Sequence, residues 1–226
     1  MPSTASTSSV HVQPPGRNPI HHDPATLIDF RGVAGGRHFT LRPVQPQDAM
    51  LLGELVAGLS PQARCNRFFG ALNLSPAHLR QMCCVVDRQQ RALVVTVQVD
   101  GSERVVADAR YCVDEAGEGS GAEFALMVDE RWRRLGLGHW ALQSLKRTAA
   151  RSGLTWLHGE VRHGNQSMLG LARRCGFTAA PGSDGEPVVK VWHRLDRTAA
   201  PATEPSRHLL GWLRRALPGR AQATRG

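Results

Sequence analysis

Of the 28 lysine and arginine residues in this 226-residue chain, only Lys146 and Lys190 are lysines. That bias reflects base composition and carries no mechanism. No run of 18 apolar residues occurs, so no transmembrane helix is expected. The start, MPSTASTSSVHVQPPG, has neither a basic n-region nor an apolar h-region, which argues against a secretory signal. The five cysteines (Cys65, Cys83, Cys84, Cys112, Cys175) are odd in number and show no CxxC spacing. A disulfide framework and a zinc ribbon therefore drop out, and a cytoplasmic, reducing location fits. The ten histidines include no HExxH, and His158 and His163 stand five apart across a strand end. That is a poor ligand pair, so no metal is expected.

What the chain does contain suits one medium domain with tails: 41% hydrophobic and 21% charged residues. Residues 1–36 are rich in Ser, Thr, Pro and Gly, and their few apolar side chains cannot offset ordering entropy. They are expected to be a disordered leader before a domain over 37–200. Residues 201–226 form a basic tail, five arginines against Glu204. Within it Leu209, Leu213 and Leu217 oppose Arg207, Arg214 and Arg215, a short amphipathic pattern. A segment of that length docks on its own domain or frays more readily than it holds a membrane. The formal charge of +9 permits nucleic-acid binding, but no aromatic and basic stripe supports it. Neither a specific nucleic-acid partner nor stable membrane insertion is expected. The oligomeric state is not legible.

The domain alternates. His38–Arg42 reads as a strand. Pro46 opens a helix whose apolar residues run from Met50 to Leu59. Ser60-Pro61 and Ser75-Pro76 are N-cap signals for short helices near 61–69 and 76–84. RALVVTVQV, Asp100-Gly101 and ERVVADARYCV make a hairpin, and AEFALMV adds a strand over 122–128. Leu137, Ala141, Leu145 and Ala149 line one face of a helix closed by Gly153. LTWLHGEV is a strand, Asn165–Arg174 a helix closed by Gly176, and EPVVKVWHRL a last strand. An antiparallel meander running into a βαβα unit predicts an α/β (α+β) fold. Its mixed central sheet has about six to seven strands, with helices on both faces.

The chemistry concentrates in Asp129-Glu-Arg-Trp-Arg-Arg-Leu-Gly-Leu-Gly-His, between a strand and a helix. Amides at a helix start point outward unpaired, and the helix dipole adds positive potential there. Gly136 and Gly138 let an anion approach the backbone, and Arg133 and Arg134 add charge. The stretch reads as a phosphate or pyrophosphate site, with a purely steric tight turn as the plainer alternative. A second alternative is the dinucleotide pattern GxGxxA in Gly136–Ala141, with Glu160 placed for a ribose hydroxyl. Seven residues between strand and first glycine, and an antiparallel hairpin upstream, weigh against it.

The order of elements and this turn resemble the GCN5-related N-acetyltransferase (GNAT) family. Its motif, Arg/Gln-x-x-Gly-x-Gly/Ala after an alternating strand, is matched by Leu126, Val128, Arg133, Gly136 and Gly138. Its second motif is matched by Asn165, Met168, Leu171, Gly176 and Phe177. More narrowly, LSPQARCNRFFG, LSPAHLRQM and GEVRHGNQSMLGLARRCGF resemble bacterial Pat-type protein lysine acetyltransferases. The fused regulatory domain frequent there is not expected within 226 residues.

The resemblance implies transfer of an acetyl group from acetyl-CoA, the co-substrate, to a primary amine, foremost a lysine side chain of a protein partner. The alternatives are a small-molecule amine acceptor and a non-catalytic module that senses acetyl-CoA. It implies that the pantetheine arm enters a gap between the strand holding Leu126, Met127 and Val128 and the strand 154–161. A backbone amide near Val128 would polarise the thioester oxygen. The pyrophosphate would rest on the turn Arg133, Arg134, Leu135, Gly136, Leu137, Gly138 and His139, with Asn165 near the thiol. Glu123 matches the general base, and side-chain alternation puts it on one face with Ala125 and Met127. Arg64, Arg67, Phe68 and Phe69 fall in the acceptor wall, or else simply pack a helix end. Cys175 reads as a buried structural thiol. The tyrosine that many members use to protonate the leaving thiolate is Ala172 here, and the chain's one tyrosine, Tyr111, lies on another strand. The general acid is unassigned.

Overall fold

The computed structural model describes residues 30–70, 74–85, 89–114, 121–182 and 187–195. The leader up to residue 29, the Gly-rich loop 115–120 and the basic tail with its amphipathic pattern lie outside the described residues. In chain order the elements are β1 (Phe30–Ala34), β2 (Arg37–Pro43), α1 (Ala49–Gly58), α2 (Pro61–Phe68), α3 (Pro76–Cys83), β3 (Gln90–Val99), β4 (Ser102–Val113), β5 (Gly121–Val128), α4 (Leu137–Arg151), β6 (Trp156–Arg162), α5 (Gln166–Arg174), β7 (Thr178–Pro181) and β8 (Val188–Arg194). One mixed sheet has the order β1-β2-β3-β4-β5-β6-β8-β7. Among the described pairings only β5 with β6 is parallel.

Local chemistry sets most boundaries. The Ser60 and Ser75 side chains accept from the Ala63 and His78 amides, and a proline follows each serine at N1. Asp100 and Gly101 both have positive φ (51° and 77°), the backbone a two-residue hairpin between β3 and β4 requires. The first helix starts later than Pro46: residues Pro46–Asp48 form a 3₁₀ turn, and the α-helix begins at Ala49. Asp48 holds that turn, accepting from the Gln45 amide at 2.7 Å and from Arg42 at 2.7 and 2.8 Å.

The described fold also begins at Phe30, inside the segment expected to be disordered. Strand β1 pairs antiparallel with β2 through a Gly35–Gly36 turn and brings the sheet to eight strands. Its Val33 is 64% exposed, and Ala34 packs against the core. Backbone pairing and the Trp140 ring, 3.4 Å from where a Gly32 Cβ would stand, also hold it.

Helices cover both sheet faces. On one, Leu52, Leu55 and Met82 of α1 and α3 meet Val94, Val105 and Met127. On the other, Ala141 and Leu145 of α4 and Leu169 of α5 meet Val95, Ala109 and Phe124. No helix among the described residues is long and apolar enough to cross a membrane.

A charged pair is sealed into the first face. Asp108 is fully buried and accepts from Arg110 Nε (3.0 Å) and Nη2 (2.6 Å), while Arg110 Nη1 donates to the Met82 carbonyl. Removing one partner of such a pair strands the other charge in low dielectric. Asp108→Ala is expected to cost about 3–5 kcal/mol in urea denaturation. A loss under about 1 kcal/mol would mean the guanidinium finds water or another acceptor.

Candidate functional site

Strands β5 and β6 share a ladder only from Gly121–Glu123 to Trp156–His158, and then part. Beyond that point β5 keeps its pairing with β4 as far as Val128, and β6 keeps its pairing with β8. The Asp129 amide donates to Val106 on β4 at 2.9 Å. Strand alternation then turns the amides of Val128 and Leu126 to the opposite edge, the one β6 leaves open. At the mouth of the gap Gly159 passes so close to Phe124 that a Cβ would stand 3.1 Å from its ring and its carbonyl oxygen. Glycine within a strand marks such an approach, and this signal in LHGEV was present in the sequence.

Past β5 the chain makes a 3₁₀ turn over Glu130–Trp132 and enters α4 through two left-handed residues, Arg134 (φ 64°) and Gly136 (φ 80°). Gly136 is the N-cap and supplies no side-chain cap. The amides of Leu137, Gly138 and His139 are therefore left for a ligand, with the helix dipole behind them. Gly138 lies over the gap: its Cβ would meet Leu171 at 3.2 Å and Val128 at 3.4 Å. Gap and turn open into one cleft of about 660 Å³.

Glu123 lies at the last rung of the β5–β6 ladder, almost buried, on the face that Met127 presents to α1–α3. Helix α2 walls the same side, where Ala63, Asn66, Arg67 and Phe69 line the cleft. A carboxylate ties that wall to the turn. Glu130 accepts from the Ser60 amide at 2.8 Å and its hydroxyl at 2.9 Å, and pairs with Arg133 at 3.4 Å. The Ser60 amide, foremost, holds the Glu130 carboxyl below its usual 4.5, against a burial penalty; the Ser60 hydroxyl and Arg133 add to it. A depressed folded value stabilises above the unfolded value and is lost as pH falls through the folded one. The Glu130→Gln protein should thus lose less stability than the wild type between pH ~6 and ~3. Parallel pH curves in urea denaturation would show that the clamp contributes nothing.

The residues singled out from sequence converge on the cleft. Glu123, Leu126, Met127, Val128, Arg133, Arg134, Gly136, Leu137, Gly138, His139 and Asn165 all line it. Leu135 is the exception: its side chain turns to the β1–β2 turn, with Cδ2 3.2 Å from a Gly35 Cβ position, and packs on the core. Only its backbone remains near the turn. Met127 contributes its side chain, since alternation directs its amide to β4. Asn165 uses Oδ1 to cap α5 on the Met168 amide at 3.2 Å, which leaves Nδ2 as the donor it can offer. Ala172 is buried in the core and brings no hydroxyl. Cys175 is buried, and burial pushes its thiol above the ordinary range. Both features suit a structural thiol. Cleft residues not singled out beforehand include Asn66, Ser167 and Arg174. They reach it through packing that carries no local sequence signal. Among the described residues no group of three or more His, Cys, Asp or Glu could hold a metal ion.

The model of the acetyltransferase (GNAT) family matches residues 64–177. An acetyltransferase of Pseudomonas aeruginosa is 30% identical over 163 residues, covering 71% of this chain and 84% of that protein. The GNAT domain of S. lividans PAT superposes with a TM-score of 0.65 at 20% identity, over 74% of this chain and 96% of that one. A Salmonella typhimurium protein solved with its cofactor acetyl-CoA gives 0.57 at 17% identity, over 72% and 97%. The two structural likenesses speak for the fold.

Proposed function

The chain belongs to the acetyltransferase (GNAT) family, and we propose that it transfers an acetyl group from acetyl-CoA to a primary amine, a lysine side chain of a protein, with Glu123 as general base. One observation carries the reading. Glu123 stands where the β5–β6 ladder ends, while the same strand turns open amides into the gap and then leads into an uncapped helix start.

The cleft fits the co-substrate. Unpaired strand edge suits an extended amide-bearing arm, and the Arg133–His139 turn suits a diphosphate. Acetyl-CoA supplies the acetyl group activated as a thioester. The Val128 amide, aimed into the gap, donates to the thioester oxygen as negative charge develops there. A lysine amine has an ordinary pKa near ~10.4 and arrives protonated. The Glu123 carboxylate removes that proton, directly or through a water. Attack is direct, so no covalent enzyme intermediate is needed and Cys175 stays a bystander. With Ala172 at the tyrosine position, the thiolate takes its proton from solvent or leaves without one.

The protein acceptor rests on the segments LSPQARCNRFFG and LSPAHLRQM, which form α2 and α3 and resemble the Pat-type enzymes. Of Arg64 and Arg67, Arg67 alone lines the cleft, and that cation suits an acidic protein surface better than a polycation. The test is mass spectrometry of lysate protein and of a panel of small amines after incubation with the chain and isotope-labelled acetyl-CoA. Labelled acetyl-lysine is expected. Label on small amines alone would overturn the protein acceptor, and label nowhere would leave a sensor without turnover.

A further inference from the structure

Among the described residues, the buried side-chain nitrogen and oxygen atoms without a hydrogen-bond partner all belong to one residue: Nε and Nη1 of Arg67. The residue is 7% exposed and sits in the last turn of α2, yet it lines the cleft together with Glu123. Its guanidinium carbon lies 4.9 Å from the Phe68 ring centre, a cation–π contact that gives its N–H groups no oxygen acceptor. Of the two acids whose fields reach it, Asp108 gives both oxygens to Arg110, and Glu123 leaves Nε and Nη1 without a hydrogen bond. Burial pushes the Arg67 guanidinium down to about 10; the field of Asp108 opposes this, that of Arg110 adds to it, and that of Glu123 opposes it. At neutral pH the side chain is therefore still charged. A buried cation with unmet donors costs free energy in the empty chain. Fold stability alone would favour a methionine there.

We infer that Arg67 recognises an anionic group on the acceptor, so that the cleft selects amines carrying a carboxylate beside the reacting nitrogen. The inference rests on the amine-transfer reading above and names its acceptor class. The two charges divide the labour: the ammonium meets Glu123 on β5, and the carboxylate meets Arg67 on α2, the helix that packs on that strand. Two sources share this chemistry, an aspartate or glutamate flanking a lysine in a protein and the α-carboxylate of a free amino acid. Polyamines offer no anion and are poor acceptors on this account.

The test compares kcat/KM within two acceptor pairs: a peptide with one aspartate-flanked lysine against its asparagine-flanked counterpart, and free lysine against cadaverine. The wild type is expected to prefer the anionic member of at least one pair by about ten- to hundredfold, the span of a charge-assisted hydrogen bond. The pair that shows the preference identifies the source. In Arg67→Met the preference falls to about twofold or less, coenzyme A affinity is unchanged, and the melting temperature holds or rises. Arg67→Lys retains part of the preference and carries the test if the methionine variant does not fold. Equal rates within both pairs, a preference that survives Arg67→Met, or an equal loss of coenzyme A affinity would overturn the inference. No acetylation of any acceptor by a wild type that binds coenzyme A would overturn the transfer reading, and this inference with it.

Discussion

Glu123→Gln is expected to lower turnover by about 10²- to 10⁴-fold, the range a positioned general base contributes, while coenzyme A affinity stays within about twofold. The substitution keeps the size and shape of the side chain and one acceptor oxygen, and removes the negative charge and with it the capacity to take a proton. The backbone of residue 123 still closes the ladder to His158, so the gap keeps its width. The carboxylate lies on the α1–α3 face, whereas the proposed cofactor contacts are amides along the strand edge and at the α4 start. Chemistry and binding should therefore separate. Raising pH should recover part of the loss in the variant, because the fraction of neutral amine grows without the enzyme's help. If turnover and coenzyme A affinity fall together, Glu123 holds the strands in place and the base lies elsewhere.

Gly138→Asp should weaken coenzyme A binding by more than about tenfold and leave the melting temperature within a few degrees. A carboxylate at the second position of α4 stands where a diphosphate would approach the Leu137, Gly138 and His139 amides, and like charges repel at that distance. The same carboxylate is favourable at a helix N-terminus, which offsets the crowding of its Cβ against the Leu171 side chain at 3.2 Å. A structural defect would lower stability and binding together. This substitution predicts that they diverge. Unchanged affinity would show that the turn does not carry the anion.

The elements were legible where a short sequence signal settles the backbone. Ser60-Pro61 and Ser75-Pro76 cap their helices by side chain, Asp100-Gly101 supplies two positive φ values, and Gly153 and Gly176 take φ of 83° after α4 and α5. The turn before α4 was legible for the same reason: strand, arginines and two glycines lie within a dozen residues. Strand β1 lies in a stretch of Ser-, Thr-, Pro- and Gly-rich composition that masks it, although Gly35-Gly36 before an extended run is itself a hairpin signal. The direction of the Leu135 side chain is not legible from sequence, because left-handed Arg134 and Gly136 stand on either side of it.

What the sequence hides is long-range. The Ser60–Glu130 clamp joins residues 70 apart, and nothing near either one announces it. The point at which β5 and β6 part depends on which pairs β6 makes with β8, a competition decided in three dimensions. The unmet donors of Arg67 follow from Asp108 having chosen Arg110, and no spacing rule reports that choice.

Titration calorimetry of the purified chain with coenzyme A tests the centre of this account most directly. The account predicts saturable heat with one site per chain, weakened more than about tenfold in Gly138→Asp and kept in Glu123→Gln. A flat titration, with no thermal protection by the nucleotide, would contradict it.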